Sequence, residues 1–102
     1  HVGEKKINQI SVQNIIKITS KVMAVKEKEV LGKARSMEIA LARQVCMFIA
    51  KDKTNLSLSN IGKQIGGRDH STVIHAYKNI AKKLESDVEL KQLVNKIENQ
   101  IQ

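Results

Sequence analysis

Residues 58–77 read LSNIGKQIGGRDHSTVIHAY, a pattern that predicts two helices joined by a tight turn. Leu58, Ile61 and Ile65 recur at three- and four-residue spacing, which is the apolar stripe of a helix. Ser57 precedes this stripe and can accept a hydrogen bond from a free backbone amide of the first turn. The stretch therefore opens with a short, capped, amphipathic helix.

The turn is predicted from glycine and aspartate. Gly66 and Gly67 can adopt the positive φ that turns the chain after a helix, and Asp69 can cap the helix that follows. Gly62 lies inside the first helix, where glycine costs roughly 1 kcal/mol relative to alanine, so we expect a packing reason for it. The second helix carries one apolar stripe, which consists of Val73, Ile74, Tyr77, Ile80, Ala81 and Leu84. Together these features predict a helix-turn-helix over residues 57–84.

Polar side chains occupy the face of the second helix that this stripe leaves exposed. They are Arg68, Asp69, His70, Ser71 and Thr72 at its start, and His75, Lys78 and Asn79 farther along. In a helix-turn-helix the first residues of the second helix meet base edges in the major groove. Arginine can bind guanine, a carboxylate can accept from cytosine, and Ser or Thr can bind several bases. The competing interpretation is a capped surface helix whose polar face only contacts water.

The run GGRDHSTVIHA, residues 66–76, resembles the signature of the C-terminal DNA-binding domain of DnaA, the bacterial initiator of chromosome replication. The resemblance extends to residues 57–62, residues 42–44 and, more weakly, residues 11–15, and so covers roughly residues 10–84. It implies sequence-specific binding of double-stranded DNA at short, asymmetric DnaA boxes of the replication origin, with the recognition helix in the major groove and a basic loop in the minor groove.

The resemblance also implies roles for individual residues. It places Arg35 in the minor groove, while Met37 stands where some relatives have a second basic residue. Together with the exposed face of the second helix, it assigns two sets of residues. The base-contacting set is Arg35, Arg68, Asp69, His70, Ser71 and Thr72, and the phosphate-contacting set is Arg43, Gln44, Lys51 and Lys78.

Composition favours one all-α domain. A chain of 102 residues that is 41% hydrophobic can build one core. Only two residues, Phe48 and Tyr77, are aromatic and none is proline, so we expect an aliphatic core in a compact helical bundle. The domain is predicted over residues 10–102. Residues 1–9 are interpreted as an N-terminal linker or a cloning remnant, because residues 1–6 lack periodicity and the chain does not begin with Met.

The other helices are predicted from caps and apolar spacing. Ser11 can cap a first core helix, and the charged segment of residues 25–37 predicts a short helix followed by a basic loop. A central packing helix is expected over residues 37–51. Ser86 or Asp87 can cap an additional C-terminal helix, which either packs back on the bundle or forms a coiled-coil arm for a partner.

Positive charge is concentrated in residues 1–84. The net charge is +8, and residues 1–84 carry sixteen Lys and Arg against six Asp and Glu, a net of +10. Such clustering attracts a polyanion and favours phosphate contacts that weaken with salt. Two alternatives fit the same charge: a helical module that binds an acidic protein, and a peripheral domain that binds acidic phospholipids through its first helix.

Catalytic and metal-binding motifs are not apparent. Without a G-x-x-x-x-G-K-[ST] loop there is no sign of nucleotide hydrolysis, and the resemblance implies that ATP and magnesium belong to a separate ATPase module of the full-length protein. His70 and His75 are five residues apart and do not share a helical face. Cys46 lies in an apolar pattern and is interpreted as a core residue of a reducing, cytoplasmic protein. We therefore predict a monomeric binding domain, with no enzymatic activity and no cofactor of its own.

Overall fold

The computed structural model describes residues 10–101, which form six helices and, within that range, no strand. The helices are α1 (Val12–Met23), α2 (Glu27–Leu31), α3 (Met37–Lys53), α4 (Leu58–Gln64), α5 (His70–Lys83) and α6 (Val88–Ile101). The radius of gyration is 13.1 Å, the value expected of a compact domain of about 100 residues. The prediction of an all-α bundle is confirmed, whereas the N-terminal segment predicted over residues 1–9 lies outside the described residues.

Side-chain oxygens fix where most of these helices begin. Ser11, Ser36 and Ser57 each accept a hydrogen bond from the backbone N–H three residues later, at 3.0, 3.3 and 3.1 Å. Asp69 and Asp87 do the same for α5 and α6, both at 3.0 Å. Each bond satisfies an amide that has no partner inside its own helix. The predicted caps of α1, α4 and α5 are confirmed, and Asp87 caps α6.

Helix α3 is the centre of the bundle and contacts α1, α2, α4 and α5. Residues 45–50 are buried on every side of this helix, because neighbours surround it. Cys46 lies within this run at 0% exposure, and burial raises the pKa of its thiol to about 12. The predictions of a central packing helix and of a core cysteine are confirmed.

The C-terminal helix α6 packs against α1. Its buried stripe is Leu90, Val94, Ile97 and Ile101. This apolar face is covered within the chain, as the interpretation of a helix that packs back on the bundle predicts. In the part of the chain that the structure describes, no helix is long and apolar enough to cross a membrane.

Candidate nucleic-acid interface

The turn between α4 and α5 is built on glycines that act in two different ways. Gly66 and Gly67 have φ values of +78° and +70°, the left-handed conformation that glycine adopts without strain. Gly62 instead permits close contact, since its carbonyl accepts a 2.8 Å hydrogen bond from the N–H of Arg68 and a Cβ there would overlap the Arg68 carbonyl. This contact is the packing reason expected for a glycine inside α4.

Asp69 organises the first turn of α5. One carboxylate oxygen, Oδ1, accepts hydrogen bonds from the Thr72 N–H at 3.0 Å, the Thr72 hydroxyl at 3.0 Å and the Ser71 hydroxyl at 2.9 Å. These bonds lower the pKa of the Asp69 carboxyl below its ordinary value, and the bond from the Thr72 backbone N–H has the largest effect. The cap thus also orients two hydroxyl groups at the start of the exposed face.

We expect the Asp69→Asn variant to separate the charge of this cap from its geometry. Asparagine caps helices about as well as aspartate, so α5 should still form. Because the folded pKa of Asp69 is lowered, its ionised form stabilises the fold above the unfolded pKa of about 3.9, and this contribution is lost as pH falls through the folded pKa. Melting curves from pH 7 to pH 2 should therefore show the wild type slightly more stable at neutral pH and the difference closing in acid. A difference that stays constant over this range would contradict the role of the charge.

The exposed and buried faces of α5 are clearly separated. The exposed residues are His70, Ser71, Thr72, His75, Lys78, Asn79, Lys82 and Lys83. Val73, Ala76 and Ile80 are the buried ones, whereas Ile74 and Tyr77 are only half-buried. The buried stripe thus differs from the predicted one, because α5 lies closely along α3 and the small Ala76 faces that contact. The buried face of α5 is thus rotated about the helix axis relative to the predicted face, and the spacing of Val73, Ala76 and Ile80 could have indicated it.

A shallow groove between α3 and α5 brings together residues from both predicted sets. It is lined by Arg43, Gln44, Arg68, Thr72, His75 and Asn79. Across it, the Asn79 side-chain amide donates a 2.6 Å hydrogen bond to Oε1 of Gln44. Residues that are up to 36 positions apart in the chain therefore share one polar surface.

Lys51 and Lys78 are the two lysines of the predicted phosphate-contacting set, and they lie on α3 and α5. Nζ of Lys51 lies 4.4 Å from the centroid of the Tyr77 ring, and that ring stacks on Phe48 with 5.0 Å between centroids. An aromatic face attracts an ammonium group and restricts where it can lie. Lys78 is exposed on α5, next to Tyr77 in the chain. Of the two predicted phosphate ligands, Lys51 is thus placed by the Tyr77 ring, whereas Lys78 is exposed on α5.

Arg43 has an environment that the sequence did not predict. Its Nε donates to the Val30 carbonyl at 2.7 Å, and its Nη2 lies 2.9 Å from the carbonyl oxygen of Glu29 and 3.1 Å from those of Gly32 and Ala34. Burial lowers the pKa of its guanidinium, and the nearby charge of Arg68 lowers it further. Most of the N–H donors of this predicted phosphate ligand are thus used inside the protein. Its Nη1 contacts none of these four carbonyls.

Arg68 also binds backbone carbonyls. Its Nη1 donates to Ile65 at 2.9 Å, and its Nη2 donates to Gly32, the residue that Arg43 also contacts. Arg35 lies exposed in the same loop, residues 32–36, and the neighbouring Met37 is 86% exposed. The structure therefore brings Arg35, Arg43 and Arg68 to one region, although they come from three separate segments.

Among residues 10–101, no group of three or more His, Cys, Asp or Glu side chains is placed to hold a metal ion.

A search against models of protein families matches residues 12–80 to the family described as the bacterial dnaA protein helix-turn-helix. The match runs from α1 into α5 and so includes the loop of residues 32–36, the turn and the exposed face of α5. It confirms the resemblance seen in the sequence.

Proposed function

Because the chain belongs to the family of bacterial DnaA helix-turn-helix domains, whose function is DNA binding, we propose that it recognises DnaA boxes at the replication origin. In this proposal α5 enters the major groove and the loop of residues 32–36 enters the minor groove. The domain acts in the initiation and regulation of chromosome replication as a cytoplasmic monomer that reads one asymmetric site. It needs no cofactor of its own, and ATP and magnesium act in a separate ATPase module.

The observation that carries this proposal is the first turn of α5. Asp69 holds the hydroxyl groups of Ser71 and Thr72 in place, and His70 lies exposed beside them. The opposite side of α5 is buried against α3 and α4, so this turn is presented outward from a packed helix. A preorganised polar tip at the start of the second helix is what readout of base edges requires.

Chemistry suggests how each residue of this turn reads DNA. Nη1 and Nη2 of Arg68 each donate to a backbone carbonyl, so Arg68 can reach guanine or a phosphate only through the remaining N–H groups of its guanidinium. Asp69, which caps α5, can also accept from a cytosine amino group. His70, Ser71 and Thr72 can contact thymine methyl groups or other base edges. Arg35 is exposed in its loop and can enter a narrow, A·T-rich minor groove, where the negative potential attracts arginine.

The phosphate contacts would position the domain without reading sequence. We assign them to Gln44, Lys51 and Lys78, and to Arg43 through its Nη1. Gln44 and Lys51 are each held by a neighbour, namely Asn79 and the Tyr77 ring. Such contacts should make affinity fall steeply with salt.

A titration tests this function against its alternatives. Wild-type protein is titrated with a duplex carrying a DnaA box, a scrambled duplex of equal composition and vesicles of acidic phospholipid, each at two salt concentrations. We expect at least a roughly thousandfold preference for the DnaA box over the scrambled duplex. Equal binding of the two duplexes, or stronger binding to vesicles, would refute the proposal.

Lys51→Ala supplies a second result in the same titration. Loss of one phosphate contact should weaken both duplexes by similar factors and reduce the slope of log affinity against log salt by about one. Lys63→Ala is the control, because it removes an exposed charge from α4 at a residue that is not among the proposed DNA contacts. A Lys51→Ala variant that lost discrimination but kept nonspecific binding would show that Lys51 reads bases.

A further inference from the structure

One backbone oxygen joins three segments of the proposed interface. The carbonyl of Gly32 lies 3.1 Å from Nη2 of Arg43 and also accepts a hydrogen bond from Nη2 of Arg68. Arg43 is on α3, and Arg68 immediately precedes Asp69, the cap of α5. The loop that carries Arg35 is therefore tied both to the central helix and to the start of the recognition helix.

We infer that Arg43 and Arg68 are positioning residues, which fix the loop of residues 32–36 so that Arg35 is held at a set place relative to α5. This inference rests on the proposed function, because it concerns how Arg35 is presented to the minor groove. It assigns Arg43 a role in sequence preference, whereas a phosphate contact carries no sequence information.

Arg43 holds the first part of this loop, whereas its last residue, Ser36, is fixed as the cap of α3. Helix α2 has only five residues, and of its last carbonyls that of Glu29 accepts a 3.3 Å hydrogen bond from the N–H of Gly32. Arg43 contacts the carbonyls of Glu29 and Val30 at this helix end and those of Gly32 and Ala34 in the loop. A planar guanidinium can serve acceptors in several directions at once, whereas the ammonium of lysine is a single point at the end of a flexible chain.

Gly66 provides the space for the hydrogen bond between Arg68 and the Gly32 carbonyl. A Cβ at this position would overlap both the Arg68 guanidinium and the carbonyl oxygen of Leu31, which is next to Gly32. The turn and the loop thus approach each other with room for one arginine side chain between them. The glycine that shapes the turn also allows the loop to be held.

Charge-preserving variants test the inference. The preference for an A·T pair over a G·C pair at the minor-groove edge of a DnaA box is measured for wild type, Arg35→Ala, Arg43→Lys and the double variant. We expect Arg43→Lys to lose at least half of the preference, on a logarithmic scale, that Arg35→Ala loses. When Arg35 is already replaced by Ala, Arg43→Lys should change the preference by less than about twofold, because the effects of two coupled residues are not additive. Lys63→Arg, on the exposed face of α4, is the matched control.

A melting curve is recorded for each variant to show that it folds. If Arg43→Lys does not fold, the same base-pair preference is measured for Arg68→Lys, which leaves the contacts of Arg43 intact. Amide hydrogen exchange in residues 32–36 should become faster in either lysine variant without DNA. An unchanged preference in a folded Arg43→Lys, alongside a clear loss in Arg35→Ala, would overturn the inference and leave the proposed function standing. If Arg35→Ala kept the full preference, the minor-groove part of the proposed function would itself be wrong.

Discussion

Gly62→Ala should destabilise the domain by about 3 kcal/mol, because an added Cβ would overlap the carbonyl oxygen of Arg68. The carbonyl belongs to the backbone and the position of a Cβ is fixed by the backbone that carries it, so no side-chain rotation can relieve the overlap. Separating α4 from the turn would also stretch the 2.8 Å hydrogen bond between Arg68 N and Gly62 O. In a domain of this size the melting temperature should fall by roughly 15 °C.

Gly67→Ala is the matched control for this prediction. Gly67 has a φ of +70°, yet a Cβ there would meet no atom within 4 Å. Only the backbone conformation is then unfavourable, which costs about 1–2 kcal/mol for an L-residue. Gly62 has no positive φ, so strain of this kind does not apply to it, and a Gly67→Ala variant as destabilised as Gly62→Ala would contradict the larger effect predicted from close contact.

His70→Ala and Thr72→Ala should each cost about 1–3 kcal/mol on a DnaA box and little on a scrambled duplex, because each removes one proposed base contact. The backbone N–H of residue 72 still reaches Asp69 in Thr72→Ala, so the cap of α5 should survive. Binding is measured over every single-base variant of the box, and the lost preference should fall on one or two adjacent base pairs. Folded variants with an unchanged base preference would refute the assignment of α5 as the recognition helix.

Thr72→Ser refines this result. Serine keeps the hydroxyl that bonds to Asp69 but lacks the methyl group. A preference lost in both Thr72→Ala and Thr72→Ser would assign readout to the methyl group, which can contact thymine. A preference retained in Thr72→Ser would assign it to the hydroxyl.

Local chemistry explains which features the sequence could predict. The caps at Ser11, Ser57 and Asp69 each bond to an amide three residues away, so their sequence neighbours specify them. The turn at Gly66 and Gly67 likewise depends on the conformational freedom of those two residues. These features follow from residue type and spacing, and they determine the helix-turn-helix.

The contacts of Arg43 and Arg68 could not be predicted in this way. Arg43 binds carbonyls 9–14 residues away, and Arg68 binds the Gly32 carbonyl 36 residues away. An arginine that donates to phosphate oxygens and one that donates to carbonyl oxygens look the same in a sequence, because the donors are identical. The rotated stripe of α5 is a similar case, because Ala76 is buried by its closeness to α3 rather than by its own hydrophobicity.

The bridge at the Gly32 carbonyl has a consequence for the DNA itself. If Arg35 and the start of α5 are held at a fixed distance, the two elements measure the spacing between a minor-groove step and a major-groove step. Inserting one base pair between these steps moves them apart by about 3.4 Å and rotates one against the other by roughly 35°. A rigid bridge cannot follow that screw motion. We therefore expect the recognised site to have a fixed length and a fixed helical phase, in addition to a fixed sequence.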